Sequence, residues 1–178
     1  MPRTISQSID AATRNGWLRL TDGELMRHCR EEAYRASGPG GQHRNKVETA
    51  VRLHHGPSGV TAQAEDTRSR EENRRHALRR LRESIAFEVR APFGLDAPAL
   101  PPEFAAQRRG ETLSVNTKNP SFPLIAATAL DALAAAGWSY AMAARALGLT
   151  TSQLRKFLQS DRELWRAVSE RRSAPPAS

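Results

Sequence analysis

Gly38, Pro39, Gly40, Gly41 and Gln42 stand together within RASGPGGQHRNK, residues 35–46, and no other stretch of the chain concentrates glycine in this way. Residues without a Cβ reach torsions closed to other side chains and let the backbone approach a ligand closely. The one functional side chain among them, Gln42, is an amide with donors and an acceptor but no titratable group, so it can position and hydrogen-bond but cannot serve as a general base. A phosphate cradle does not fit. The P-loop ends in Gly-Lys-Ser/Thr and the dinucleotide fingerprint opens a helix, whereas here Gln42 takes the place of the lysine and a strand pattern follows. Two readings remain at this level: a flexible glycine loop, or a backbone built to meet a substrate. His43 lacks a local carboxylate partner and reads as a polar contact or a loop stabiliser rather than a base. His54 and His55 are neighbours on a strand and point to opposite faces, so they do not share an ion. No metal and no cofactor are expected. Cys29 is the single cysteine, which excludes an internal disulfide and a cysteine metal cluster, and it reads as a small packed residue.

The elements that must position the cluster are legible on both sides of it. Thr21 and Glu24 stand in the Thr-x-x-Glu relation of a capping box and start a short helix. CREEAYRA then reads as a strand running into the glycines. VETAVRLHH alternates Val47, Thr49, Val51 and Leu53 against Glu48, Ala50, Arg52 and His54, the period of a half-buried strand. GPSG supplies a turn and GVTAQAE returns, giving a hairpin. From Thr67 onward Ala77, Leu78, Leu81, Ile85 and Val89 recur at helical spacing with arginines over the rest. Residues 1 to about 16 read as a loose polar arm, and the prolines of APFGLDAPALPP forbid regular structure and mark a linker.

The last third is helical. FPLIAATALDALAAAGW is an apolar helix stopped by Gly137. The next helix breaks at Gly148, Thr150 with Gln153 caps its successor, and Ser160 with Glu163 repeats the device for a final one. This order resembles a helix-turn-helix; the same leucines would form the core of a helical bundle that touches no nucleic acid. The expected fold class is α+β: a small mixed or antiparallel sheet with a long packed helix, followed by a small all-α unit. The expected organisation is an arm at 1–15, an α+β domain at 16–90, a Pro/Ala-rich linker at 91–120, a helical domain at 121–172 and a tail at 173–178.

Charge narrows the partner. The 178 residues carry a formal net charge of +8, and only three of the 27 Lys and Arg residues are lysine. Guanidinium pairs with phosphate in a bidentate way, so nucleic acid leads the list of partners. No stretch has signal-peptide character or the length to span a bilayer, so a cytoplasmic protein without a membrane partner is expected.

RASGPGGQHRNKVETAVRLHHGPSGVTAQAEDTRSREENRRHALRRLRE, residues 35–83, resembles the Gly-Gly-Gln domain of class I peptide chain release factors and of the codon-independent ribosome-rescue hydrolases related to them. The resemblance covers about residues 16–90. It rests on Arg35 and Ser37 before the loop, the Gly40–Gly41–Gln42 tripeptide, Asn45 and Lys46 after it, Ala50 to Arg52, the Pro-x-Gly turn, and Arg68, Ser69, Arg70 and Asn73 entering the arginine-rich helix. Arg44 stands where family members usually carry valine, and Val47 where threonine is common. The resemblance implies hydrolysis of the ester between nascent peptide and transfer RNA in the peptidyl transferase centre. It implies that the Gln42 backbone N–H bonds the developing oxyanion and that its side chain places the water. The implied partners are large-subunit ribosomal RNA, P-site peptidyl-tRNA and a glutamine methyltransferase acting on Gln42. Arg35, Ser37, His43, Arg44, Asn45, Lys46, Arg68, Arg70, Arg74, Arg75 and Arg79 are the expected RNA contacts, although the arginines of the helix also suit a solvated face. Stop-codon release factors are larger and carry a separate codon-reading domain, so the first expectation is codon-independent rescue. The alternatives are a non-catalytic nucleic-acid-binding regulator and a factor acting on dissociated large subunits.

Overall fold

A computed structural model of the chain describes residues 9–34 and 49–173. It opens with α1 (Ala11–Arg19), a helix where the polar composition predicts a loose arm. The reason is a cap: the Asp10 carboxylate accepts from the Thr13 backbone N–H at 2.8 Å, satisfying a donor that the first turn leaves without a partner. Helix α2 (Asp22–Arg27) starts at the expected capping box. Thr21 Oγ1 accepts from the Glu24 N–H, and the Glu24 carboxylate accepts in return from the Thr21 N–H at 2.9 Å.

Strands β1 (Cys29–Tyr34), β2 (Ala50–His55) and β3 (Thr61–Ala64) form one antiparallel sheet in that order. Tyr34 pairs with Ala50 and Cys29 with His55, so the ends of β1 and β2 that flank residues 35–48 lie side by side. Helix α3 (Arg70–Glu88) packs over the sheet. Its Ala77, Leu78, Leu81 and Ile85 are buried with Val51, Leu53, Ala62 and Ala64, the inward positions of the two alternations.

Residues 91–101 form no helix or strand, as their prolines predict, but regular structure resumes at 102–113, inside the stretch expected to be linker. Helix α4 (Pro102–Gln107) places Pro102 at its first position, where the missing N–H has no intrahelical partner to lose. It runs into a two-stranded ladder, β4 (Arg108–Arg109) with β5 (Thr112–Leu113), turned by Gly110 at φ +56°. Phe104 and Leu113 anchor the segment in the core.

Helix α5 (Phe122–Ala135) is apolar nearly all round, and such a helix must be covered on every side. Its Leu124 and Ala127 join the core under α3, while Ile125, Ala129 and Leu133 join a second core with helices α6 (Tyr140–Leu147), α7 (Thr151–Leu158) and α8 (Arg162–Ser173). Gly148, at φ +65°, ends α6, and Thr150 caps α7. The cap of α8 is Asp161 rather than Ser160: the Asp161 carboxylate accepts from the Leu164 N–H at 2.9 Å, and Ser160 Oγ instead donates to the Phe157 carbonyl at the end of α7. A carboxylate there also suits the positive end of the helix dipole.

Between the two cores lies a buried charge cluster. Asp131 on α5 receives Arg14 of α1 at 2.6 Å and Arg90 at 3.0 Å, and accepts the Ala91 N–H at 3.1 Å. Arg14 is 1% exposed and Asp131 2%. Among the described residues no helix is long and apolar enough to cross a membrane.

Candidate nucleic-acid and catalytic site

The glycine cluster and its neighbours Arg35, Ser37, Gly40, Gly41, Gln42, His43, Arg44, Asn45 and Lys46 lie outside the described residues. What the fold does place is the frame from which that segment leaves and to which it returns. The return side is held by Asn73 in the first turn of α3, a fully buried side chain. Its Nδ2 donates to the Thr49 carbonyl at 2.8 Å and to the Thr67 carbonyl at 2.9 Å, while its Oδ1 accepts the Thr67 N–H at 3.0 Å. One amide thus ties the residue just before β2 to the entrance of α3. Ser69 completes that entrance by accepting the Glu72 N–H as the cap of α3.

The departing side is held by Glu31 on β1. Its carboxylate accepts from Arg70 at 2.7 Å and from Arg74 at 2.8 Å, and Arg74 also meets Glu71 at 3.0 Å. The Arg74 guanidinium, seconded by that of Arg70, holds the Glu31 carboxyl below its ordinary range, so the pair is charged at neutral pH. Strand β1 and helix α3 are thereby cross-linked on the exposed side, while Leu53 and Leu78 are buried in the shared core.

The structure brings together only some of the expected RNA contacts. Arg70 and Arg74 converge on Glu31, whereas Arg79 lies further along α3 in a pair with Glu83 at 3.1 Å. Arg68 and Arg75 are exposed and form no ion pair among the described residues. Arg80 is also engaged, donating to the Gln63 carbonyl and to Asp66, and its hydrogen bond keeps the Asp66 carboxyl low. The part played by Glu31 was not read from sequence. Its signal was faint: a carboxylate on the strand preceding the loop, with the matching arginines 39 and 43 residues away.

The histidine pair diverges as neighbouring strand residues must. His54 bonds Thr61 Oγ1 on the outer side, while His55 is fully buried against the Trp17 ring, with centroids 5.0 Å apart. Cys29 is half-buried, its Sγ donates to the Leu25 carbonyl, and burial pushes its thiol up, away from nucleophilic character. Among the described residues no grouping of three His, Cys, Asp or Glu side chains could hold a metal ion.

An antiparallel sheet crossed by one long helix, with a glycine-glutamine segment between its first two strands, makes residues 21–90 an α+β unit. Residues 25–92 match the family described as RF-1 domain, a span that contains Gly40, Gly41 and Gln42. A stretch of 62 residues is 52% identical to peptide chain release factor 2 of Acidovorax sp. (strain JS42), covering 34% of this chain and 17% of that protein. A stretch of 56 residues is 48% identical to peptide chain release factor 1 of Lacticaseibacillus casei (strain BL23), covering 32% and 16%. Peptide chain release factor 2 of Haemophilus influenzae is 46% identical over 56 residues, 15% of its length. The similarity thus spans about a sixth of those relatives. Over residues 25–92 the chain is similar to the RF-1 domain.

Proposed function

We propose that this chain hydrolyses the ester between nascent peptide and transfer RNA in the peptidyl transferase centre, and does so independently of a codon, in rescue of stalled ribosomes. The observation that carries the reading is the Gly40–Gly41–Gln42 tripeptide inside the RF-1 domain match, in a segment flanked by β1 and Thr49, which Glu31 and Asn73 tie to α3. Attack of water on an ester carbonyl builds negative charge on oxygen. A preorganised N–H aimed at that charge contributes about 2.7–4 kcal/mol in other acyl-transfer sites. Gly40 and Gly41 let the backbone approach the terminal adenosine, the Gln42 N–H is the donor, and the Gln42 side chain places the water. With no general base in the set, the ribosome and the substrate supply the proton transfers. Arg35, Ser37, His43, Arg44, Asn45 and Lys46 flank the tripeptide as contacts to ribosomal RNA, and Arg68 and Arg75 extend them along the entrance of α3. Gln42 is the residue a glutamine methyltransferase would modify.

The test is release of labelled peptide from P-site peptidyl-tRNA, on ribosomes with truncated message and on ribosomes with a stop codon in the A site. Release on truncated message alone is expected. Gln42→Pro, which removes the backbone donor, is expected to reduce it roughly 10²–10³-fold, and Gly41→Ala and Gln42→Ala to cripple it. Release confined to the stop-codon complex would overturn codon independence, and no release on either would overturn the hydrolase reading.

A further inference from the structure

Positive charge is not distributed as the run of arginines along α3 suggests. Arg70, Arg74, Arg79, Arg80 and Arg82 each meet a carboxylate: Glu31, Glu71, Glu83, Asp66 or Asp22. The α6–α7 pair is the opposite case. Residues 132–160 contain Arg145, Arg155 and Lys156 and no aspartate or glutamate. All three cations are exposed, and none forms an ion pair among the described residues. The packing explains why they face out. Ala143, Ala144 and Leu147 of α6 and Leu154, Phe157 and Leu158 of α7 are committed to the core, which leaves Arg145 on one helix and Thr151, Ser152, Arg155 and Lys156 on the other in solvent.

The face is also rigid. Arg155 lies over the Tyr140 ring of α6, 5.5 Å from its centroid. Arg108 of the β4–β5 hairpin donates to the Leu147 carbonyl at 3.2 Å, and the Thr150 N–H donates to the Glu111 carbonyl at 3.4 Å, so the hairpin braces the turn. A Cβ at Gly148 would meet the Arg108 guanidinium and push it off the Leu147 carbonyl, and the left-handed φ of +65° there also favours glycine. The hairpin adds the exposed side chains of Arg109 and Glu111 to the flank. A surface held in place before binding loses little entropy when it docks.

We infer that the outer face of α6–α7 docks the phosphate backbone of double-helical RNA. Uncompensated cations beside the Thr151 and Ser152 hydroxyls are the donor set for phosphate oxygens. A protein partner is disfavoured because Met142 is the single large hydrophobe exposed among the described residues, and protein interfaces are built around several such anchors. Helix α7, eight residues or about 12 Å long, suits the wide shallow groove of A-form RNA, across which it lies rather than penetrating. The choice of RNA over DNA rests on the ribosomal reading of the RF-1 domain match.

The test is fluorescence anisotropy of the full chain with a labelled RNA hairpin and a DNA hairpin of the same sequence, across a salt series. Arg145→Gln/Arg155→Gln/Lys156→Gln is expected to weaken RNA binding about tenfold or more and to flatten the salt dependence by about one unit per cation removed. Arg145→Lys/Arg155→Lys, which keeps the charge, is expected to retain binding. Unchanged affinity in the triple variant would overturn the inference, and so would equal or tighter binding of the DNA hairpin. The peptide-release assay reads the other proposal separately. RNA binding that depends on the three cations, in a chain that releases no peptide, removes only the hydrolase; peptide release with RNA binding indifferent to them removes only the docking face.

Discussion

Asn73 shows how much of the candidate site hangs on one side chain. Three backbone groups, the Thr49 and Thr67 carbonyls and the Thr67 N–H, find their partner in its amide. Replacement by alanine leaves those groups without it inside a buried pocket, and Asn73→Ala is expected to lower stability by roughly 2–4 kcal/mol in urea unfolding. Asn73→Asp keeps the shape but turns an oxygen towards both carbonyls, so it is expected to be at least as harmful as alanine. If Asn73→Asp were as stable as wild type, the two donated bonds would not hold the frame. The position was visible in the sequence as part of the family resemblance. Its work was not, because residues 49, 67 and 73 meet only when β2 and α3 have packed.

At the scale of elements, the turn from β2 to β3 is closed from inside by His55. Its Nδ1 accepts the Ser58 N–H at 3.3 Å and meets Ser58 Oγ at 2.7 Å, which leaves the ring proton on Nε2, a buried atom without a hydrogen-bond partner among the described residues. Burial, with the nearby His28 adding to it, pulls the imidazolium pKa down to about 4. The unfolded chain titrates near the ordinary value of about 6.5. Between those values the unfolded state binds the proton and the folded state does not, so stability falls as pH drops from about 6.5 towards 4 and is level above that window. The expected loss is roughly 2–3 kcal/mol. Urea midpoints measured across this range should slope in wild type, and His55→Gln should remove most of the slope. The alternation in VETAVRLHH already separated His54 from His55; which of the two would be sealed depended on α1 bringing Trp17 against the sheet.

For the molecule as a whole, Asp131 joins parts that the sequence sets far apart. It lies on α5 and holds Arg14 of α1 and Arg90 just past the end of α3, while Leu124 and Ala127 of the same helix pack into the core under α3. Removing the carboxylate strands two guanidinium groups in the interior, and Asp131→Ala is expected to destabilise by roughly 3–5 kcal/mol. Because α5 is a wall shared by both cores, tryptophan fluorescence and far-UV circular dichroism should report coincident unfolding of the wild-type chain. Separate transitions would mean that the helical unit unfolds independently of the sheet.

The elements whose signals are local were determined by sequence alone. Period-two alternation marks β2, period-3.6 spacing marks α3, glycines mark the stops of α5 and α6, and the Thr21–Glu24 box marks α2, since each depends on neighbours a few residues apart. Asp10 ahead of α1 and Pro102 at the start of α4 were signals of the same kind, outweighed by the polar and proline-rich composition around them. The tripeptide and its family resemblance lay in the sequence too. Tertiary structure decided where charge remains free. A guanidinium counts as a phosphate ligand only if no carboxylate has reached it first, and Glu31, Asp66 and Asp22 reach the arginines of α3 from distant positions in the chain. The same packing left Arg145, Arg155 and Lys156 without such partners among the described residues, because compensation between charges depends on distance in space, which composition does not carry.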